Sequence, residues 1–232
     1  MEPADIVRIS KGTLEGLLAP HSITSCGVTL SPKDTWETGC DHIVERDGLP
    51  SLFISHDERE APYATTPASH ANPLPLPTHV TITDEDRLVL IAWAEPAQDS
   101  PVRGIGIDLA STEDFAGQRG KRFNHLLFTP QERLIATTIS PEDDALACAY
   151  AFSAKEAAFK ACAAPLRRWY LDHSEELCFE VRDFELADEF SEKGTARKGA
   201  AARALRALGI SRIVLARQRI ENMALTFAAA LG

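Results

Sequence analysis

The feature that most constrains the fold is an alanine-rich helical pattern, SPEDDALACAYAFSAKEAAFKACA, at residues 140–163. Ser140, followed by Pro141 and then by Asp143, is a typical helix start, because the side chains can satisfy the free amides of the first turn. The apolar residues that follow predict a long helix over about residues 141–163. Two lysines and one glutamate interrupt its apolar surface at FSAKEAAFK, residues 152–160. These charged side chains either face solvent or take part in a chemical reaction.

Patterns on both sides of this helix predict strands and a second capped helix. FTPQER begins a helix with Thr129 as N-cap and Glu132 as its capping-box partner. RGIGIDLA predicts a short strand that ends at Asp108. Residues 80–94 and 213–230 each contain two apolar runs around a charged turn, which predicts two strand–turn–strand units. Each unit closes one half of the chain, and this repetition indicates two related lobes.

Composition excludes several classes of protein. No apolar run approaches the roughly 20 residues that cross a bilayer, and the N-terminus lacks the pattern of a signal peptide. Five cysteines without CxxC spacing favour reduced thiols and therefore a cytoplasmic protein. The net charge of −10 argues against non-specific nucleic-acid binding, which requires many basic side chains to contact phosphates.

Asp108 and Glu156 each have an ordinary structural explanation when considered alone. An acid at a strand end is usually a turn former or a helix cap, and an acid in a helix usually faces solvent. However, GIGIDLASTEDF, KRFNHLLFTPQER and FSAKEAAFKA follow one another within residues 104–161. Together they resemble the 4′-phosphopantetheinyl transferase superfamily, whose signatures are a G-[IV]-D strand and an [FW]-[SA]-x-K-E-[AS]-x-x-K helix.

The resemblance implies an α+β fold. Residues 104–232 look like a complete holo-acyl-carrier-protein synthase, so we expect an N-terminal lobe at residues 1–100 and a C-terminal lobe at residues 101–232. By analogy with the two-lobed surfactin-type members, these would be pseudo-symmetric lobes, each a small antiparallel sheet packed on a long helix. The active site would lie in the cleft between them, and the attached first lobe favours a monomer. The sequence does not indicate the fold of residues 1–78.

The resemblance also implies an activity, the Mg²⁺-dependent transfer of the 4′-phosphopantetheine arm from coenzyme A to a serine of an acyl or peptidyl carrier protein. Asp108 and Glu156 match the metal-binding acids, and carboxylates are the ligands that Mg²⁺ prefers. Lys155 and Lys160 match the lysines whose charges neutralise the diphosphate of coenzyme A. Glu156 would also accept the proton of the serine hydroxyl, and Lys160 would assist catalysis.

The chain departs from the family pattern at two places. Ala110 occupies the position of a third acid that the two-lobed enzymes usually carry. Asp84, in TITD, occupies the position of the histidine that usually contacts the 3′-phosphate of coenzyme A. FISHD contains that motif literally, with His56, but it lies too far from Asp108 in the sequence.

Partners and alternatives follow from the same residues. We expect basic side chains after the Asp108 strand to dock an acidic carrier protein, namely Arg119, Lys121 and Arg122. One alternative is a member that has lost activity and serves as a carrier-binding or scaffold subunit. Another is an unrelated α+β enzyme that uses Mg²⁺ and a phosphate ester.

Overall fold

The fold combines antiparallel sheets with one long and two shorter helices in the part of the chain that can be described. The computed structural model describes residues 1–32, 42–46, 49–56, 62–65, 77–85, 88–117, 120, 126–173, 184–186, 194–196 and 205–232. Its α-helices with described bounds are α1 (Pro3–Leu18), α2 (Pro130–Ile139) and α3 (Asp144–His173), and two short 3-10 helices lie at Ala19–His21 and Thr112–Phe115. The mixed helix and antiparallel-sheet class predicted from the sequence is confirmed.

Three sheets contain the described strands. The first sheet has the order β1-β6-β5, formed by Ile23–Pro32, Leu88–Pro96 and His79–Glu85. The second, β2-β3-β4, is formed by His42–Arg46, Leu49–His56 and Pro62–Thr65. The third has the order β7-β11-β10-β9-β8, formed by Val102–Ser111, Met223–Leu231, Arg212–Ile220, Gly194–Ala196 and Phe184–Leu186.

Both predicted strand–turn–strand units are hairpins. Strands β5 and β6 pair antiparallel, as do β10 and β11, and each hairpin adds an earlier strand to the edge formed by its second member. The orders β1-β6-β5 and β7-β11-β10 are therefore the same arrangement. The helices do not repeat in this way, since α1 precedes β1 whereas α3 follows β7.

Helix α3 packs closely on β7 because Gly106 leaves room for it. A Cβ atom at Gly106 would lie 1.9 Å from the carbonyl oxygen of Ala157 in α3. Alanines on the contacting side of the helix, among them Ala154, Ala157 and Ala161, are at most 1% exposed. Small residues on both surfaces thus allow the helix backbone to approach the strand backbone, and this approach places the charged residues of α3 beside β7.

The first sheet reaches β7 through side chains. The hydroxyl oxygens of Thr81 and Thr83 in β5 accept hydrogen bonds from the backbone amides of Ile107 and Leu109, each at 3.1 Å. Helix α1 covers a core shared by the first and third sheets, with Leu14 and Leu18 almost fully buried. The N-terminal half of the chain is therefore packed directly against the strand that carries Asp108.

Three boundaries differ from those expected, and one of them is the C-terminal end of the long helix, which continues past residue 163 to His173. Strand β7 continues past Asp108 to Ser111, because its pairing with β11 extends to that residue. The long helix begins at Asp144, since Asp143 rather than Ser140 caps it. The Asp143 carboxylate accepts a hydrogen bond from the Leu146 amide at 3.0 Å, and its carbonyl accepts from Ala147 at 2.9 Å. The capping box of α2, with Thr129 and Glu132, is confirmed.

Candidate active site

Asp108 lies in the middle of β7 and is buried, with 5% of its surface exposed. Its Oδ1 accepts a hydrogen bond from Lys160 Nζ at 2.8 Å, and the Thr83 hydroxyl lies 3.3 Å from the same oxygen. Its Oδ2 is buried and has no hydrogen-bond partner among the described residues. Burial raises the pKa of Asp108, and the ammonium of Lys160 opposes that rise. One oxygen of a buried carboxylate is thus held, while the other is available to a ligand.

Glu156 and Lys160 come from α3 and are one helical turn apart, so both side chains lie on the side that faces β7. Burial and then repulsion from Asp108 raise the pKa of Glu156 to about 7, in spite of the opposing charge of Lys160. Lys160 Nζ also donates to the Ile107 carbonyl at 3.2 Å, and Ser153 Oγ donates to the Asp108 carbonyl at 3.2 Å. The two acids and one lysine predicted from separate motifs therefore belong to one electrostatic cluster.

Lys155 occupies a different environment, although it precedes Glu156 directly. It is 1% exposed, and its Nζ lies 2.7 Å from Glu132 Oε1 and 3.2 Å from the Leu127 carbonyl oxygen. The ammonium also lies 5.7 Å from the centre of the Phe128 ring. The predicted contact of Lys155 with a diphosphate stays a prediction, and the ammonium is enclosed between α3 and the start of α2.

Glu132 carries out two tasks at once. Its Oε2 accepts a hydrogen bond from the Thr129 amide at 2.8 Å and so completes the capping box, while its Oε1 pairs with Lys155. The sequence indicated only the first of these roles. No local signal indicates the second role, because Glu132 lies between Gln131 and Arg133 in the sequence, as an exposed acid would.

Other predicted positions are placed as follows. Asp84 is exposed on β5 and close enough to Asp108 for its charge to raise the pKa of that buried acid. Ala110 is buried in the core between β7 and α3, so it supplies no ligand atom. The side chain of His56 lies outside the described residues, as do the expected docking residues Arg119, Lys121 and Arg122.

Thr83 is the residue of this site that sequence reasoning missed. It comes from β5, in the N-terminal half, and it contacts both the backbone and the side chain of the Asp108 region. The sequence shows only that Thr81 and Thr83 alternate along a predicted strand and so share one of its faces, and the structure shows that this face is buried. Buried hydroxyls generally require hydrogen-bond partners, so a pair of inward threonines predicts a polar contact with a neighbouring element.

The residues present fit a divalent cation, as judged from their chemistry. Among the described residues no group of three or more His, Cys, Asp and Glu side chains is arranged to hold a metal. A cation here would therefore depend on Asp108 and Glu156, with further oxygens from substrate and water, a ligand set that Mg²⁺ commonly uses. The buried and unpartnered Oδ2 of Asp108 is an oxygen of the required kind.

The fold and the site together define a mixed helix and antiparallel-sheet protein with a carboxylate–lysine cluster where its long helix meets a strand. Residues 104–218 match the family model described as "4'-phosphopantetheinyl transferase superfamily". This segment, which contains Asp108, Glu156 and Lys160, is a domain of that superfamily, and the family predicted from the sequence is confirmed.

Solved structures that resemble the chain include two holo-acyl-carrier-protein synthases. The enzyme from Plasmodium yoelii is 21% identical, with a TM-score of 0.41, and the match covers 56% of this chain and 95% of that chain. The enzyme from Neisseria meningitidis is 24% identical, also with a TM-score of 0.41, and the match covers 56% of this chain and 99% of that chain. The search of curated proteins gives no match. No helix in the described part of the chain has the length and apolar character needed to cross a membrane.

Proposed function

We propose that this protein transfers the 4′-phosphopantetheine arm of coenzyme A to a serine of an acyl or peptidyl carrier protein. The observation that carries the proposal is the cluster of Asp108, Glu156 and Lys160 within the segment that matches the transferase superfamily. In the reaction the serine oxygen forms a new bond to phosphorus, and the bond to 3′,5′-ADP breaks. The family match gives no support to the alternative of an inactive scaffold.

Asp108 and Glu156 would hold a divalent cation, with Mg²⁺ as our proposal. A bound Mg²⁺ would neutralise charge on the diphosphate as the leaving group departs. The two acids lie at the contact of β7 and α3, so the packing at Gly106 determines whether they face the same ligand. Ala110 supplies no third acid, and a set of two carboxylates remains sufficient because substrate oxygens and water complete the shell of this ion.

Glu156 is suited to accept the proton of the carrier serine. A pKa of about 7 places the carboxyl group near the midpoint of its titration at neutral pH. This pKa applies to the carboxyl group without a metal. A cation held by the same carboxylate would lower the pKa, so Glu156 would then be ionised and able to accept the proton at neutral pH. Lys160 would donate to the diphosphate with the one ammonium hydrogen that Asp108 and the Ile107 carbonyl do not use.

We also propose that residues 1–100 and 101–232 form two related lobes and that a single chain is the functional unit. The repeated strand order of the first and third sheets supports this proposal. The position of the helices does not repeat, so the relation would concern the strands. That the protein works in the cytoplasm stays a prediction from its cysteine content.

The experiment that tests the proposed function uses the purified protein, coenzyme A, MgCl₂ and a panel of apo carrier proteins. Mass spectrometry should detect the added phosphopantetheine arm on at least one wild-type carrier and never on a carrier whose acceptor serine is replaced by alanine. Glu156→Gln should abolish the reaction, because the amide neither accepts the proton nor provides a negative ligand. Binding of coenzyme A or a carrier without any modification would favour the scaffold alternative instead.

Carrier docking requires a separate test. Charge reversal of the three expected docking residues, Arg119, Lys121 and Arg122, should weaken carrier binding while it leaves coenzyme A affinity nearly unchanged. Calorimetric titration of each variant with both ligands measures the two affinities independently. An equal loss of both would count against a docking role.

A further inference from the structure

Strands β5 and β7 meet through two buried threonine side chains. Thr81 and Thr83 are 2% and 4% exposed, and each hydroxyl oxygen accepts a hydrogen bond from a backbone amide of β7 at 3.1 Å. Because β11 pairs with the other edge of β7, these hydroxyls supply acceptors to amides that face β5. The two threonines therefore have the same structural task, which is to satisfy buried backbone donors.

Only Thr83 has a second contact, with the carboxylate of Asp108. Its oxygen already accepts from Leu109, so its single hydrogen is free to point at Asp108 Oδ1, 3.3 Å away. This distance is long for a hydroxyl–carboxylate hydrogen bond, whereas Lys160 donates to the same oxygen at 2.8 Å. The two donors approach Oδ1 from different elements, β5 and α3, and together they restrict the rotation of the carboxylate.

We infer that Thr83 is a positioning residue for Asp108: it helps to hold Oδ1 so that the buried and unpartnered Oδ2 is presented to a ligand of the site. The evidence is the hydrogen-bond set of the carboxylate, with donors on one oxygen and none among the described residues on the other. That the ligand is a divalent cation bound with coenzyme A rests on the proposed function. Thr83 lies outside residues 104–218, so the N-terminal half contributes to a site that the family match locates in the second half.

Thr83→Val and Thr81→Val form a matched pair for a test. Each removes one buried hydroxyl and leaves one β7 amide without its acceptor, so both should lower stability to a similar extent. Only Thr83→Val removes the contact with Asp108. Thr83→Ser retains the hydroxyl and should restore the wild-type behaviour.

The first experiment measures the affinity for Mn²⁺ in the presence of coenzyme A by titration calorimetry. Loss of a group that orients a metal ligand commonly weakens metal affinity by about tenfold or more, so Thr83→Val should bind Mn²⁺ about tenfold more weakly than wild type. Thr81→Val should stay within about twofold of wild type, on the same argument, because it does not contact Asp108. Equal affinities of the two valine variants would overturn the inference.

The second measurement does not depend on any metal or on activity. Crystal structures of the variants should show a rotated Asp108 carboxylate in Thr83→Val and an unchanged one in Thr81→Val and Thr83→Ser. If wild type binds no Mn²⁺, the proposed metal chemistry fails, while the carboxylate orientation still decides the role of Thr83. Should the valine variant not fold, Thr83→Ala deletes the same hydroxyl without adding a methyl group, and an unchanged carboxylate there would refute the inference.

Discussion

The buried ion pair between Lys155 and Glu132 should respond to single substitutions far more strongly than to a double substitution. The two side chains are 1% and 2% exposed, and the charged atoms are 2.7 Å apart. Lys155→Met leaves the carboxylate of Glu132 buried without its partner. Removal of one member of such a pair typically costs about 3–5 kcal/mol, because the remaining charge is neither solvated nor compensated.

The size of the effect follows from what each variant leaves behind. Glu132→Gln removes the negative charge but keeps an oxygen that can accept from the Thr129 amide, so the capping box is retained. The ammonium of Lys155 then keeps the Leu127 carbonyl and the ring of Phe128 but loses its ion pair with Glu132. We therefore expect a loss of about 3 kcal/mol for each single variant. The double variant buries no net charge and should lose much less than the sum of the two.

Urea unfolding, monitored by circular dichroism, measures these differences in the free energy of unfolding. An exposed pair provides the control, since Lys11 and Glu15 lie 3.8 Å apart with side chains about half exposed. Lys11→Met should change the unfolding free energy by less than about 1 kcal/mol. If Lys155→Met costs no more than this control, or if the double variant equals the sum of the single ones, the argument from desolvation is wrong.

Two further predictions concern packing and ionisation. Gly106→Ala should prevent folding or cost more than about 3 kcal/mol, because its Cβ would lie 1.9 Å from the Ala157 carbonyl oxygen. Gly12→Ala is the control, since no atom lies within 4 Å of the added Cβ, and it should stabilise α1 by about 0.5–1 kcal/mol. Thermal unfolding of both variants measures these differences. The folded pKa of Glu156, about 7, lies above its ordinary value of 4.5, so ionisation destabilises the fold progressively as the pH rises between these values. In the presence of EDTA, Glu156→Gln should raise the free energy of unfolding by up to about 3 kcal/mol above pH ~8 and change it little near pH ~4. An equal effect at both pH values would contradict this prediction.

The elements that the sequence predicted are those whose local signals agree with their tertiary environment. Helix α2 has its capping box where the pattern placed it. The expected apolar runs form the antiparallel pairs β5–β6 and β10–β11, and the second pair is joined by a turn at residues 221–222. Asp108 and Glu156 were assigned to one site through a family resemblance, and the charge of Asp108 is close enough to Glu156 to raise its pKa. Local patterns alone do not bring residues so distant in sequence together.

Helix α1 shows why the sequence does not indicate the fold of residues 1–78. Its buried stripe consists of Ile6, Ser10, Leu14 and Leu18, so a polar residue occupies one of four core positions. Its interior also contains two glycines, which are unfavourable in helices. The helix is formed because it covers the core shared by two sheets, and this stabilisation is tertiary.

The two lysines of FSAKEAAFK lie in different environments because different elements pack against α3 at the two positions. Lys155 points to α2, where Glu132 neutralises it, and it therefore contributes no net charge to the site. Lys160 points to β7, where, among the residues that the structure describes, it is the lysine that balances two acids, Asp108 and Glu156. With both acids ionised, this cluster carries a net negative charge in a largely buried environment. Burial raises the pKa of each acid, and the charge of Asp108 raises that of Glu156 further. A divalent cation would neutralise this negative charge. The burial that makes two ionised acids unfavourable without a metal therefore favours the binding of a cation.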